Sequence, residues 1–357
     1  MQQEQTILSF LSVISLTSFF IILFVQKISG KIGNGILLDQ DFDKPQSFHQ
    51  EPIARSGGIA ALISLMVFII MYYLLFGRIL NDYIFLSTSL FLIGFVDDIK
   101  FKTNPNVRLF LMIVILSLGI VFLSINIDNI DVIFLGNWIQ NRVFEIIFIL
   151  LCFLFIVNGA NLIDGFNGLL TIHLILINFI LLLININNQQ TELSLMITGQ
   201  IAIFFSFLLF NFPKAKIFLG DSGSYLFGSL IALNVIDTNN LNPNISSFFF
   251  CILLFYLFFE VFFSFFRKLY LKKSPLKPDK KHLHMLSYEC LNRFGKFEDS
   301  NYLNSIIINL IYFCLILPSI FFKENPLVCR YWFFFLLIVY VLIYFRLYSF
   351  VKKQFDI

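Results

Sequence analysis

The chain has 357 residues, of which 58% are hydrophobic, 13% are charged and 49 are Phe, and its formal net charge is +3. So few polar groups could not cover the surface of a soluble globule of this size, so the composition predicts a polytopic membrane protein. Cys152, Cys251, Cys290, Cys314 and Cys329 show no CxxC and no paired spacing, which excludes a disulfide framework and a zinc site.

Apolar runs of about 20 residues, the length that crosses the hydrocarbon core, predict about eleven transmembrane helices. They fall near residues 6–26, 57–76, 83–97, 107–125, 143–158, 166–185, 194–211, 222–237, 245–267, 304–322 and 329–347. Met1–Gln5 has no basic residue and the first apolar run continues to Gln26, which speaks against a cleaved signal peptide. The connections 27–56, 98–106, 159–165, 212–221, 268–303 and the C-terminal tail then share one side of the membrane. Of the 25 Lys and Arg residues, only Arg78, Arg142, Lys323 and Arg330 lie on the other side. The excess of positive charge assigns the first side to the cytoplasm, with the N-terminus outside and the C-terminus inside. On the opposite side, the alternating residues around Asp131–Gly136 predict a small hairpin within 126–141. No internal repeat and no separate soluble domain is visible, so 1–357 reads as a single integral membrane domain.

Five polar clusters interrupt the apolar spans, all on the predicted cytoplasmic face: His49–Gly58, Val96–Lys100, Asn158–Gly168, Phe218–Ser224 and Pro278–His284. Carboxylates and imidazoles at the ends of apolar spans are costly and mark a site more often than packing. In Asp97-Asp98 the adjacent carboxylates repel, so one takes up a proton unless a cation lies close. Such a pair suits a general base, a metal ligand or a solvated helix end. Asn158, Asn161, Asp164 and Asn167 recur every three residues, which on a helical turn holds oxygen ligands on one face. Gly159, Gly165 and Gly168 let the backbone approach a ligand or bend.

Asp221 precedes the predicted helix 222–237 and can cap it. Alternatively, the free N–H groups of an uncapped helix start bind phosphate, and a carboxylate there can carry Mg²⁺ bridging a diphosphate. Asp and Asn oxygens suit magnesium better than a soft metal. The segment Lys272–His284 is dense in phosphate-binding groups, suited to anionic lipid heads or to an anionic substrate. His282 and His284, at i and i+2, do not share a helix face, which favours a loop gripping an anion over a metal site. Glu260 reads as a structural partner of Arg267 or of this loop, and His173 as a packed polar side chain.

In this order the clusters resemble the polyprenyl-phosphate N-acetylhexosamine-1-phosphate transferases, glycosyltransferase family 4, over about residues 39–290. The stretch Gln46–Gly58 resembles the family element Arg-Ser-x-His-x-x-Pro-x-Pro-Arg-x-Gly-Gly, departing from it at Gln46 and Ala54. Asp97-Asp98, Asn158-x-x-Asn161-x-x-Asp164-Gly165 and Gly220-Asp-x-Gly-Ser224 match. Asn167 stands where many bacterial members have Asp, which leaves that position hydrogen bonding alone. The basic loop resembles the WecA-like branch, with Met285 in place of a His common there.

The resemblance implies an all-α polytopic membrane enzyme of the bacterial inner membrane. It would transfer a sugar 1-phosphate, such as N-acetylglucosamine 1-phosphate, from a UDP-sugar to undecaprenyl phosphate and release UMP, as the first membrane step of cell-surface polysaccharide synthesis. It implies Mg²⁺, with Mn²⁺ as a substitute, held by Asn161 and Asp221. Asp97, Asp98 and Asp164 would be catalytic, with Asp97 or Asp98 deprotonating or positioning the lipid phosphate. His49, Arg55, Lys100, Asn158, Asn167, Phe218, Lys281, His282 and His284 would bind substrates. The partners implied are the UDP-sugar, undecaprenyl phosphate and the bilayer, with no nucleic acid; a homodimer is left open. Direct in-line attack is the default for phosphoryl transfer, and a covalent aspartyl intermediate stays open. A transporter or lipid flippase, the competing class, would place charges near the bilayer midplane and carry an inverted repeat; the sequence presents neither.

Overall fold

The computed structural model describes residues 2–31, 35–39, 52–101, 103–275, 277, 279–293 and 300–352. In chain order these form α1 (Gln2–Ser29), β1 (Leu38–Asp39), β2 (Ile53–Ala54), α2 (Gly57–Phe76), α3 (Asn81–Asp98), α4 (Pro105–Phe122) and α5 (Ile133–Ile139). There follow α6 (Arg142–Ile163), α7 (Leu169–Asn187), α8 (Thr191–Asn211), α9 (Gly220–Leu241), α10 (Ser247–Leu253), α11 (Phe255–Tyr270), α12 (Leu283–Arg293), α13 (Ser300–Phe321) and α14 (Pro326–Lys352). The protein is an all-α polytopic membrane protein. Every span expected from hydropathy appears as a helix, the one at 245–267 as the pair α10 and α11, bent by 75° at Leu254. The bend frees a carbonyl, and the Tyr312 hydroxyl donates to Leu253 O at 2.5 Å, as a backbone group inside a membrane requires.

Among the described residues eight helices are long and apolar enough to cross a bilayer, and the bent pair makes a ninth. The two remaining expected spans, α3 and α9, are more polar for different reasons. α3 carries Asp82 at its start and Asp97 and Asp98 at its end. α9 is the central helix: nearly all its residues are buried, so its polar side chains meet protein and not lipid. Asn234 receives the hydroxyl of Tyr83 at 2.8 Å and donates to Gln200 at 2.8 Å and Asn178 at 3.2 Å. Thr238 accepts from Asn185 at 2.9 Å. Satisfied amides of this kind fix helix register without leaving a desolvated polar group unpaired. The peripheral helices behave in the opposite way, and α1, α4 and α14 expose Phe20, Phe24, Phe122, Ile338 and Leu342.

The expected hairpin within 126–141 does not form: residues 133–139 are the short helix α5. Trp138 packs edge-on against Phe134, four residues earlier, and against Phe144 of α6, a spacing that a helix satisfies and a strand does not. At the other end of the bundle β1 and β2 pair antiparallel, Leu38 with Ala54 and Asp39 with Ile53. Ala54 also bridges Ile217 in parallel. This small sheet ties the chain entering α2 to the chain entering α9.

Candidate active site

The site is built around the first turn of α9. Gly57 N–H donates to Phe218 O at 2.9 Å, Gly58 N–H to Leu219 O at 2.8 Å and Phe218 N–H to Ala54 O at 2.8 Å. These bonds bring backbone against backbone. A Cβ on Gly58 would overlap Ser222 and Gly223, and one on Gly94 of α3 would overlap the Asp221 carbonyl and the Ser222 nitrogen. The glycines therefore let α2 and α3 touch α9 where larger residues would hold them apart.

That approach decides what the Asp pair does. Asp98, 2% exposed, accepts the backbone N–H of Asp221 at 3.0 Å, that of Ser222 at 2.9 Å and the Ser222 hydroxyl at 2.5 Å. The N-cap of α9 is thus supplied from another helix. The expectation of an uncapped helix start offering these two N–H groups to phosphate is corrected, and so is Asp221 as the cap. Gly220, with φ of +76°, makes the turn that leads into this capped start.

Asp97 points elsewhere. It accepts from the Thr103 hydroxyl and from Arg108, and Arg108 Nη1 also donates to Asp221 Oδ2 at 3.1 Å. Arg108 lies in the first turn of α4, whose N-cap Asn104 accepts from Asn106 N–H at 3.0 Å. In the sequence Arg108 counted only toward the positive side; a cation beginning an apolar span ten residues after an Asp pair was the signal. The Arg55 guanidinium binds Asp39 through Nε at 2.9 Å and Nη2 at 2.7 Å. Burial would lower its pKa, but the carboxylates of Asp221, Asp39 and Asp98 outweigh burial and raise it.

The Asn/Asp run is placed in two parts. Asn158 and Asn161 lie in the last turns of α6 and Asp164 is its C-cap, so the three share the expected helical face. Asn161 donates to Ser224 Oγ at 3.1 Å, while Asn158 donates to Leu154 O in its own helix at 2.7 Å. Burial holds the Asp164 carboxyl well above the usual range, with Arg55 opposing and Asp221 and Asp98 adding to the shift. Asn167 falls beyond the helix, where its side chain donates to Pro213 O at 2.9 Å. The structure therefore gathers Asp97, Asp98, Asn161, Asp164, Asp221, Arg55 and Arg108. Lys100 is exposed at the rim, and Phe218 contributes its backbone. His49 lies outside the described residues.

Lys281, His282 and His284 form a second cluster. His282 Nδ1 meets Glu260 Oε1 at 2.9 Å and its Nε2 lies 3.3 Å from Asp279. Glu260 also accepts from Tyr340 OH at 2.5 Å and Leu283 N–H at 3.1 Å. Of the two partners expected for Glu260, it takes the loop; Arg267 pairs with Asp279 at 3.0 Å. His284 is fully buried beside Tyr256 OH, 3.3 Å from Nδ1. Lys281 donates to Tyr348 OH at 3.3 Å. The link to the first cluster is Phe166, in the turn after Asp164, whose ring centroid lies 5.8 Å from that of His284. His173 is a packed side chain as expected, fully buried and 3.1 Å from Asn309 Oδ1.

Among the described residues no three His, Cys, Asp or Glu side chains converge as a ready-made metal site. The donor set nonetheless suits a hard cation: Asp221 and Asn161 offer oxygens, and a guanidinium already stands between Asp97 and Asp221 where positive charge is favoured. Magnesium keeps several waters and takes substrate phosphates as ligands, so one or two protein oxygens suffice.

The family profile of glycosyl transferase family 4 matches residues 80–239. The chain is 29% identical to a Thermotoga maritima protein named undecaprenyl-phosphate alpha-N-acetylglucosaminyl 1-phosphate transferase, over 68% of this chain and 71% of that one. It is 33% identical to the phospho-N-acetylmuramoyl-pentapeptide-transferase of Dictyoglomus turgidum, over 62% and 73% of the two chains. A Bacillus subtilis protein named "Probable undecaprenyl-phosphate N-acetylglucosaminyl 1-phosphate transferase" is 26% identical over 95% and 91%.

Proposed function

Since the chain belongs to glycosyl transferase family 4, we propose that it transfers an N-acetylhexosamine 1-phosphate from a UDP-sugar to undecaprenyl phosphate, releasing UMP. An oxygen of the lipid phosphate attacks the sugar-bearing phosphorus of the donor, and the bond from that phosphorus to the bridging oxygen breaks as UMP leaves. Both reactants are anionic, so charge repulsion is the main barrier, and the observation that carries the proposal is the meeting of acidic and basic groups at one bundle end: Asp97, Asp164 and Asp221 with Arg55 and Arg108. Positive groups preorganised at such a site are worth far more than in water.

Asp221 and Asn161 would hold Mg²⁺, which when bound neutralises charge on the donor diphosphate. Asp98 accepts from three donors of α9 and builds the site. Asp97, half-buried and held by Thr103 and Arg108, is the carboxylate of the pair that meets the lipid phosphate. Arg55 and the segment carrying Lys281, His282 and His284 bind the donor, with the segment reaching the site through its contact on Phe166. The reading places the site on the cytoplasmic face of a bacterial inner membrane, at the first membrane step of surface-polysaccharide synthesis.

The test is mass spectrometry of the lipid formed when purified protein is given undecaprenyl phosphate and a panel of UDP-sugars. A lipid diphosphate bearing one N-acetylhexosamine, with UMP in equal amount, is expected. Absence of any lipid-linked sugar across the panel, from protein that remains folded, would reject the proposal.

A further inference from the structure

We infer that the Arg108 guanidinium competes with a divalent cation for Asp221, so that an ion held by Asp221 and Asn161 binds only by displacing it. The inference rests on the reading of Asp221 as a metal-holding carboxylate. Arg108 Nη1 donates to both carboxylates, one from the end of α3 and one from the start of α9. The guanidinium bridges those two side chains. The three side chains are 26%, 16% and 22% exposed, so the pairing is partly shielded and yet reachable from solvent. A cation and a guanidinium cannot both sit against the same oxygens, because like charges this close repel strongly in a half-buried site.

In the same position the arginine is also supported by an aromatic ring. Its Cζ lies 5.7 Å from the ring centroid of Tyr225, within cation–π range. Tyr225 is one helical turn beyond Asp221 and fully buried, and its hydroxyl has no hydrogen-bond partner among the described residues. With Asp221 taken by metal, Arg108 would still have Asp97 and this ring as partners. The orphan hydroxyl is then a donor at the same edge of the site.

A permanent structural clamp makes the opposite prediction. If Arg108 only holds Asp97 and Asp221 in place, removing it loosens the carboxylates and weakens metal binding. If it competes with the cation, removing it strengthens binding.

The experiment is Mn²⁺ titration followed by electron paramagnetic resonance, on full-length protein in detergent without donor or lipid. Wild type, Arg108→Gln, Arg108→Lys and Asp221→Asn are compared. Wild type should bind Mn²⁺ saturably and Asp221→Asn should not. Arg108→Gln should bind about tenfold more tightly or better, the scale of removing one like charge from such a site. Arg108→Lys, which keeps the charge, should stay near wild type. Arg108→Met, which keeps the stem against Tyr225, replaces the Gln variant if that one fails to fold. Unchanged or weaker Mn²⁺ binding in the neutral variants, with wild type still binding through Asp221, overturns the inference alone. Wild-type binding that Asp221→Asn leaves intact overturns the reading of Asp221, and the inference with it.

Discussion

Asp98 accepts the backbone N–H and the hydroxyl of Ser222 at 2.9 and 2.5 Å, so the last residue of α3 caps the first turn of α9. Two neighbouring carboxylates therefore have separate duties. Asp98→Ala would strand two buried N–H groups and remove a cap, a loss of about 2 kcal/mol or more. Thermal unfolding in detergent should show it clearly less stable than wild type. Asp97→Asn should unfold close to wild type yet lose on the order of 10² or more in turnover, as removal of a base does. Equal stability of the two variants would contradict this division.

Turnover is expected to require Mg²⁺ or Mn²⁺, because Asp221 and Asn161 offer only hard oxygen ligands. Membranes assayed in EDTA should form no radiolabelled lipid, and Mg²⁺ in excess should restore it. Full activity in chelator would show that Arg108 and Arg55 alone neutralise the diphosphate.

The helices were legible because lipid forces apolar runs, and even α3 and α9 were found from length despite their polarity. Asp97, Asp98, Asn161, Asp164 and Asp221 could be read as a group because polar residues at span ends stand out. Partnership could not be read. That Asp98 caps α9 depends on Gly58 and Gly94 letting three helices touch, a contact between segments more than a hundred residues apart. Arg108 was hidden for a related reason: one cation at a span end looks like topology until the fold brings Asp221 to it. The helix α5 was misread because alternation over a few residues carries too little information to separate strand from helix.

Acid should destabilise the protein partly through His284. Burial pushes its pKa from the ordinary 6.5 down to about 3, Glu260 opposing and His282 adding. Below 6.5 the unfolded chain binds a proton that the folded chain refuses, so this contribution is complete above that pH and is lost as pH falls toward 3. The slope approaches about 1.4 kcal/mol per pH unit. Melting temperatures measured from pH 7 to 4 should fall for wild type and fall less for His284→Gln. Asp279, which burial would raise but Arg267 and His282 hold below its usual range, adds a further loss only near pH 4 and under, in both proteins. Parallel curves for the two proteins between pH 6 and 4.5 would exclude His284 as the source.

Glu260 should control whether the basic loop stays docked. It is 1% exposed and holds three groups: His282 Nδ1, the Leu283 N–H and the Tyr340 hydroxyl. Removing one member of such a buried set leaves the others unpaired and costs about 3–5 kcal/mol locally. α11 continues past Glu260 with Phe263 packed on Tyr340 and Tyr344, so the loss should fall on the loop and not on the span. Glu260→Ala should therefore release the loop, so that trypsin cuts after Lys272, Lys273, Lys280 and Lys281 at concentrations that leave wild type intact. Because the loop is proposed to bind the donor, the same variant should raise KM for the UDP-sugar several-fold and leave KM for undecaprenyl phosphate nearly unchanged. Faster cleavage with unaltered donor kinetics would separate the loop from donor binding; a rise confined to the lipid KM would assign it to the acceptor.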